Sequence, residues 1–325
     1  MKILRLIVSL SALALAASAT PAPAQTPYPA RPIRIIVPIP PGGAPDIAAR
    51  VIGHYLSEAL GQGVVIENRS GANGNIAMDA AAKADPDGYT LLAAADSNIT
   101  INPHVYGAKL SIDTLKDLIP VASIATNQFM IAINPNVPAN TLKEFIDYAR
   151  KANPPLAYAS GGNGSQHHIA MEMLKQRAGI NMLHVPYRGG APSTTATIAG
   201  ETQVLFAGAS NAPNIQAGQL RALAASGKHR SKRYPDLPTI GEMYPGYEVD
   251  IWLGLFAPAG TPEPIVTKLR NEVNALLKRP DVIEKMNVSG SMEPLILPPE
   301  EFSALIRRDY EKYGKLIKEI GVKID

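Results

Sequence analysis

Short apolar runs alternate with amphipathic segments along most of the chain. Residues 33–39 form a β-branched run that ends at Pro40-Pro41-Gly42-Gly43, which predicts a buried strand entering a tight loop. Over residues 46–60 the apolar positions recur at helical spacing, and Gly61 stands where a helix is expected to end. Segments 63–67, 76–84 and 89–95 continue the order strand, helix, strand. This alternation predicts a parallel, doubly wound sheet.

A second series of the same kind begins near residue 121. Its predicted strands are 130–133, 156–159, 182–185, 202–206 and 222–225, and its predicted helices are 141–152, 165–178, 191–199 and 212–217. Residues 264–320 are mostly amphipathic helix, interrupted at Pro280 and over 294–299. We expect these last helices to return and cover the first lobe. The pattern therefore predicts an α/β chain with two lobes, each built on a sheet flanked by helices.

The first 24 residues have the order of a secretory signal peptide. Lys2 and Arg5 precede an apolar run over 7–17, and Ala22-Pro23-Ala24 follows it, so cleavage is expected near Ala24, before Gln25. The apolar run is shorter than the roughly 20 residues that a spanning helix needs. We therefore expect an exported protein that works in the periplasm.

Composition narrows the class of protein further. The chain has no Cys, which excludes disulfides, thiolate chemistry and attachment of lipid to an N-terminal Cys. Lys and Arg number 31 against 28 Asp and Glu, and removal of the signal segment leaves 29 against 28. This near-neutral balance gives no support for nucleic-acid binding, which normally requires a basic face. About 300 residues would remain after cleavage, enough for two cores.

The loop after the predicted strand 156–159 carries the sharpest candidate site. Ligands of open α/β sheets bind outside the carboxyl ends of strands, where helix N-termini offer N–H groups. Here Gly161 and Gly164 leave the backbone uncovered, while Ser160 and Ser165 bring hydroxyls to the start of a helix. This set suits a carboxylate. Alternatively, Ser165 is only an N-cap, and His168 is either a ligand donor or a packed helix residue.

Two further strand ends supply candidates from the first series. In the loop Pro41-Gly42-Gly43-Ala44, the backbone N–H groups are the expected ligand donors. Asp46 follows Pro45 at the predicted helix start, where a carboxylate also complements the helix dipole. Asp96 and Ser97 end the strand over 89–95, and Asp96 is interpreted either as a ligand contact or as an Asx turn.

Other chemistries are poorly supported. The glycine loops match neither G-x-G-x-x-G nor a Walker loop with its Lys, so no nucleotide cofactor is predicted. Ser210 lies in a near match to a G-x-S-x-G elbow, but the last glycine is missing and His229 is the one later His. His167 and His168 are adjacent rather than four residues apart, and no metal site is predicted. A serine hydrolase at Ser210 stays the minor alternative.

Several ordered motifs, each weak alone, run through the mature chain. They are VPIPPGGAPDIAAR over 37–50, ENRSGANGNI over 67–76, DPDGY over 85–89, YASGGNGS over 158–165, HVPYRG over 184–189, LRALA over 220–224, PDLPT over 235–239 and APAGTP over 257–262. Together they resemble the Bug-type substrate-binding proteins of tripartite tricarboxylate transporters, the TctC-like family.

The resemblance implies a type II periplasmic-binding-protein fold, mainly parallel in each lobe. Lobe 1 would comprise residues 25–124 and 249–325, and lobe 2 residues 125–248, closing on the ligand by a hinge. It further implies a carboxylate held at 160–165, the loop 40–46 closing over it, and delivery to the membrane subunits of a tripartite tricarboxylate transporter. We expect a monomer without cofactor or catalytic activity; a sensor component with the same fold is the alternative.

Two departures from the family pattern bear on the ligand. Pro45 stands where many members have Thr or Ser, which removes a donor. Ala207-Gly208-Ala209 stands where members that bind an amino acid can place an Asp. Gly208 and Ala209 are still expected to line the site, and a dicarboxylate or aromatic carboxylate is favoured. Asp96 would repel a second carboxylate or bind an amine. Trp252, Tyr244 and Tyr247 would either wall an aromatic ligand or pack between lobes.

Overall fold

The strands of the described chain form two β-sheets. The computed structural model describes residues 27–231, 234–290 and 292–321, so the predicted signal peptide lies outside the described residues. Within them the first sheet contains β1 (Ile33–Val37), β2 (Val64–Asn68), β3 (Thr90–Ala95), β4 (Leu118–Gln128), β10 (Asp250–Pro258) and β11 (Glu293–Pro294). The second contains β5 (Met130–Ile133), β6 (Ala157–Ser160), β7 (Leu183–Pro186), β8 (Val204–Ala207) and β9 (Arg221–Ala225).

Both sheets are mixed. The first has the spatial order β2-β1-β3-β10-β4-β11 and the second β7-β6-β8-β5-β9. β1 is parallel to β2 and β3, and β6 is parallel to β7 and β8, which confirms the predicted parallel α/β arrangement for these strands. β10 is antiparallel to β3 and β4, however, and β5 is antiparallel to β8 and β9. Each layer is therefore a mixed sheet, with antiparallel strands beside the parallel ones.

The antiparallel strands carry the chain between the sheets. β4 ends at Gln128 in the first sheet and β5 begins at Met130 in the second, while β10 brings the chain back after β9. An outgoing and a returning strand that lie side by side must run in opposite directions. The apolar pattern did not reveal β4 or β10, since Pro120 and Gly254 interrupt their propensity for strand.

Twelve α-helices of the described chain flank the sheets. Their bounds are α1 Ala44–Leu60, α2 Asn75–Ala82, α3 Asp96–Thr100, α4 Asn102–Tyr106, α5 Leu142–Lys151, α6 Gln166–Ala178, α7 Gly190–Ala199, α8 Ala212–Gln216, α9 Ile240–Met243, α10 Glu263–Leu276, α11 Pro280–Gly290 and α12 Pro299–Ile320.

Local signals fix several helix ends. Pro45 lies in the first turn of α1, and Gly61 ends it in the left-handed conformation at φ 64°. Thr141 caps α5 by accepting from the N–H of Glu144, and Ser165 caps α6 in the same way. The predicted boundaries of these helices therefore agree with the structure within about two residues.

The C-terminal helices pack on the first sheet, as expected. α10 contacts β4 and α1, α11 contacts α1, and α12 contacts β4 and α3. Phe302 of α12 packs edge-on against Trp252 of β10, with ring centroids 5.3 Å apart. Both rings belong to the buried apolar cluster that includes Ile36 and Leu92. α12 also contacts α6, which follows a second-sheet strand, so this helix joins the two layers.

The two-lobe division at residues 124 and 249 stays a prediction. β4 continues past residue 124 to Gln128 within the first sheet. Residues from Arg31 onward group into one compact unit, apart from a unit that ends at Ala30. No helix in the described ranges combines the length and apolar character required to cross a membrane.

Candidate functional site

A carboxylate shapes the loop after β1. Asp46 in the first turn of α1 is 2% exposed and accepts from the N–H of Gly42 at 2.9 Å. Its oxygens also accept from Asn68 Nδ2 at 2.8 Å and Arg50 Nε at 3.0 Å. Burial acts to raise the pKa of this carboxyl, but the donors from Arg50, Gly42 and Asn68 together lower it. Asp46 is therefore an ionised anchor that holds the loop in shape.

The tight turn of this loop requires glycine at two positions. Gly42 has φ +94°, and a Cβ on Gly43 would overlap the side chain of Ile39. The N–H of Gly42, expected as a ligand donor, is committed to Asp46. Pro41 and Gly42 are exposed, while Gly43 and Ala44 open α1 with no side-chain cap. The donors left at this loop are the N–H groups of the first turn of α1.

The loop between β6 and α6, residues 160–165, is called the anchor loop below. Ser160 is 1% exposed; its Oγ accepts from Gly162 N–H at 3.1 Å and lies 2.6 Å from Nε2 of His184. Ser165 caps α6 by accepting from the N–H of His168 at 3.3 Å. A hydroxyl that accepts one bond still carries its own proton. Ser165 can therefore cap α6 and still donate to a ligand, so the two roles predicted as alternatives are compatible.

His168 is hydrogen-bonded to the anchor loop. Its Nδ1 accepts from the N–H of Gly164 at 3.0 Å, and its side chain is buried beneath the anchor loop. His184, on the neighbouring strand β7, stacks against it with centroids 3.9 Å apart. Sequence reasoning did not select His184, although it opens the HVPYRG motif. Only the pairing of β6 with β7, which aligns Tyr158 with His184, places it under the loop.

Asp96 lies at a junction of the two sheets rather than at an open strand end. It is fully buried at the start of α3, and its Oδ2 accepts from Nε2 of Gln166 in α6 at 2.6 Å. Its other oxygen, Oδ1, is buried and has no hydrogen-bond partner. Burial, reinforced by the Asp309 carboxylate, raises the pKa of Asp96 well above its ordinary value. Ser97 beside it is half-buried.

The anchor loop makes two more contacts with segments that follow strands of the first sheet. Asn73 donates from Nδ2 to the carbonyl of Gly164 at 3.5 Å. Gly164 has φ +72°, and a Cβ added to it would lie 2.6 Å from Cγ1 of Val105 in α4. The carbonyl of Asn73 is itself held by Asn98 and Asn102. The structure therefore brings the anchor loop against the loop 71–74 and the short helices α3 and α4.

Gly208 reaches the same region from the end of β8. Its N–H donates to Asn211 Oδ1 at 3.0 Å, which closes the short 3₁₀ turn Ala209–Asn211. A Cβ on Gly208 would lie 3.8 Å from the ring of Phe129, and that ring packs against His167 in a tilted arrangement with centroids 4.4 Å apart. His167 in turn lies 3.3 Å from the Cβ position of Gly161. Gly161 and Gly208 are therefore linked through one aromatic contact.

Two of the three aromatic residues near the second crossing are packed. Trp252 donates from Nε1 to Asp309 Oδ2 at 2.9 Å, and Tyr247 donates its hydroxyl to the carbonyl of Ala170 at 2.9 Å. Both are nearly inaccessible, at 3% and 2% exposure. These contacts correspond to the packing interpretation of the two residues. Ser210, the serine of the near-miss elbow, is exposed on the Ala209–Asn211 turn.

Comparisons with known proteins identify the family and the fold. A profile described as the tripartite tricarboxylate transporter family receptor matches residues 48–322. The solved structure of periplasmic binding protein BugD is 32% identical, has a TM-score of 0.83, and covers 91% of this chain and 100% of its own. These findings confirm the resemblance stated from the motifs and the two-sheet α/β periplasmic-binding-protein fold.

Two similar structures were solved with small carboxylates. Rpa4515 of R. palustris with adipate has a TM-score of 0.86 and 32% identity, and the match covers 91% of this chain and 100% of that protein. MatC (Rpa3494) from Rhodopseudomonas palustris with bound malate has a TM-score of 0.80 and 29% identity, covering 89% and 100%.

The raised pKa of Asp96 predicts a specific dependence of stability on pH. The folded state binds this proton more tightly than the unfolded chain, so the stabilisation is complete below the unfolded pKa and is lost as pH rises toward the folded one. In Asp96→Asn the amide keeps the acceptor for Gln166 and carries no charge. Above about pH 4, the free energy of unfolding of the variant should rise relative to that of the wild type by about 1.4 kcal/mol per pH unit, until the folded pKa of Asp96 is passed.

Urea unfolding of both proteins from pH 4 to 8 measures this difference. Asp236→Asn, at an exposed position, is the control and should follow the wild-type curve. A constant difference between Asp96→Asn and wild type across the range would show that Asp96 does not hold its proton in the folded protein.

Proposed function

Because the chain belongs to the tripartite tricarboxylate transporter receptor family, we propose that it captures a small aliphatic dicarboxylate in the periplasm and delivers it to the membrane subunits of such a transporter. The signal-peptide pattern of residues 1–24, with cleavage near Ala24, supports export. In this proposal the protein works as a monomer that binds without chemical conversion.

The start of α6 is the observation that carries this proposal. Ser165 is 7% exposed and keeps a hydroxyl proton after capping the helix. The first N–H groups of this 13-residue helix have no intrahelical partner. A hydroxyl and free amides at a positive helix end replace the water shell of a carboxylate. The first carboxylate of the ligand is therefore assigned to Ser165 and the N-terminus of α6.

Several glycine N–H groups first considered as donors are less available. Those of Gly42, Gly164 and Gly208 donate to Asp46, His168 and Asn211 within their own loops. The glycines then contribute shape, while the donors come from hydroxyls and helix starts. The proposed site contains residues that would contact the ligand and residues that position them. Its full set stays as follows: Pro41, Gly42, Gly43, Ala44, Asp46, Asp96, Ser97, Ser160, Gly161, Gly164, Ser165, His168, Gly208 and Ala209.

The class of ligand follows from what the surrounding side chains already bind. Trp252 and Tyr247 are almost completely buried and bonded to Asp309 and Ala170, so they offer little surface to an aromatic acid. Asp96 is buried against Gln166 and cannot accept from an exposed ammonium in this arrangement. Adipate and malate, bound in two similar proteins, are both aliphatic dicarboxylates. These observations favour that class over aromatic acids and amino acids.

Closure of the two predicted lobes would trap the ligand. The contacts Asn73–Gly164 and Asp96–Gln166 already join the first-sheet loops to the anchor loop and α6. Gly164 packs on Val105 without room for a side chain. In the proposed cycle these contacts form as the lobe of residues 25–124 and 249–325 meets that of 125–248.

A matched thermal-shift screen of the mature protein tests the function. We expect adipate, malate or succinate to raise the melting temperature, since a ligand at one hundred times its Kd adds about 2.7 kcal/mol of stability. Hexanoate and butyrate match adipate and succinate in length but lack the second carboxylate, and should shift it less. Equal shifts by the monocarboxylates, or none by any acid when native mass spectrometry shows an empty protein, would contradict the proposal.

Ser165→Ala should weaken binding of the acid found in that screen by about 1–3 kcal/mol, the cost of removing one partner of a charged hydrogen bond. Isothermal titration calorimetry measures the loss. Thr141→Ala is the matched control, because Thr141 is also an N-cap but begins α5. Both changes remove a cap worth about 1 kcal/mol of stability, but only Ser165→Ala should change affinity; an equal Kd in the two variants would remove Ser165 from the site.

Gly164→Ala should weaken ligand binding about tenfold or more, because its Cβ would meet Val105 and hold the anchor loop away from α4. Gly179→Ala controls for backbone strain, since Gly179 is also left-handed, at φ +61°, with no atom within 4 Å of its Cβ position. Calorimetry should show affinity restored in Gly164→Ala/Val105→Ala. If Gly179→Ala lowers the affinity as much as Gly164→Ala does, backbone strain is responsible and not the close approach of Gly164 to Val105.

A further inference from the structure

Two imidazole rings lie face to face beneath the anchor loop. The rings of His168 and His184 are 3.9 Å apart with planes 12° from parallel. Each ring reaches one end of the loop. His168 Nδ1 accepts from Gly164 N–H at 3.0 Å, and His184 Nε2 lies 2.6 Å from Ser160 Oγ. The pair therefore contacts both the last residue of β6 and the residue before the cap of α6.

The bond from Gly164 defines the charge state of His168. A ring nitrogen that accepts from a backbone N–H cannot carry a proton, so His168 must be neutral with its proton on Nε2. Protonation at Nδ1 would remove the acceptor and set two N–H groups against each other. The position of Gly164, and with it the approach to Val105, thus depends on an uncharged ring.

The bond to Ser160 links His184 to the hydroxyl of the anchor loop. Ser160 Oγ already accepts from Gly162 N–H. If His184 donates from Nε2, the serine proton is free to point to the Gly162 carbonyl, 3.1 Å away, or to a ligand. If His184 accepts instead, that proton is consumed by the ring. A His184 with its proton on Nε2 is therefore the form that leaves Ser160 able to donate to a carboxylate.

The groups around the pair favour neutral rings. His184 also stacks on Tyr158 of β6, with centroids 4.8 Å apart. From α6, Glu172 accepts from Tyr158 Oη at 2.5 Å and from Lys175 Nζ at 2.7 Å. The charge of Glu172 acts to raise the pKa of both rings and that of Lys175 acts to lower it, but burial has the largest effect. Burial, with the adjacent His168, lowers the pKa of His184 to about 4. Burial also lowers the pKa of His168.

We propose that the stacked pair of His168 and His184 positions the anchor loop, with His184 orienting the Ser160 hydroxyl toward a ligand carboxylate and His168 holding the Gly164 amide. Neither ring touches the ligand. Both are positioning residues that act through Ser160 and Gly164. The assignment rests on the proposed function, because it describes how the same site is held ready for a carboxylate.

A double-mutant cycle separates positioning from general support of the fold. With adipate as probe, or malate if the screen favours it, His184→Phe should weaken binding about tenfold while keeping a stacked ring. Ser160→Ala/His184→Phe should bind no more weakly than Ser160→Ala alone, because His184 acts through that hydroxyl. His184→Gln, which keeps a donor, should recover most of the affinity. His104→Phe removes another packed His, bonded to the Tyr310 carbonyl, and should leave Kd unchanged.

Two results would overturn the proposal: additive losses in the double variant, or equal losses in His184→Phe and His104→Phe. A second measurement needs no ligand, so it stays decisive if no dicarboxylate binds and the proposed function fails. Imidazole ¹⁵N spectra at pH 6 should show both rings neutral and protonated on Nε2. The Gly164 amide signal should move in His168→Phe and remain in place in His104→Phe. A charged ring at pH 6, or an unmoved Gly164 signal in His168→Phe, would equally reject it.

Discussion

The approach of Gly164 to Val105 is the constraint around which the site is arranged. A hydrogen atom is the largest group that fits at Gly164, because a Cβ would come within 2.6 Å of the valine side chain. Gly164 also has a left-handed φ of +72°, which glycine adopts more readily than residues with a Cβ. This contact brings the start of α6, with its uncommitted N–H groups, against loops of the first sheet. The proposed trapping of a ligand between the lobes depends on this close approach.

Buried polar groups hold the loops on either side of this contact. Asp46 takes donors from the loop before it, from its own helix and from β2, so the glycine turn after β1 has one defined shape. His168 and His184 serve the anchor loop in the same manner from below. Loops that are fixed before the ligand arrives lose less conformational entropy on binding. Burial of Asp96 costs folding free energy, since one of its oxygens is buried without a hydrogen-bond partner.

Much of the fold followed from local pattern, and particular residues show why. Gly61 and Gly179 end α1 and α6 in the left-handed conformation that glycine allows most readily, and Thr141 and Ser165 cap helices with their own hydroxyls. Those signals involve residues within four positions of each other. β4 and β10 were missed because their pairing spans more than one hundred residues, and their small or Pro- and Gly-interrupted segments lack a clear period of two.

The candidate site likewise depends partly on local sequence and partly on contacts between distant residues. The sequence by itself determined the alternation of strands and helices, the glycine and serine content of the anchor loop and the family resemblance, because these depend on neighbouring residues and on ordered motifs. Only the tertiary structure decided that His184 lies beneath Ser160, that Asp96 bonds to Gln166, and that the N–H of Gly42 is committed to Asp46. The first two of these contacts join separate elements, and the third depends on how a glycine turn folds back on its helix. Packing and hydrogen-bond geometry settle all three, and no spacing along the chain encodes them.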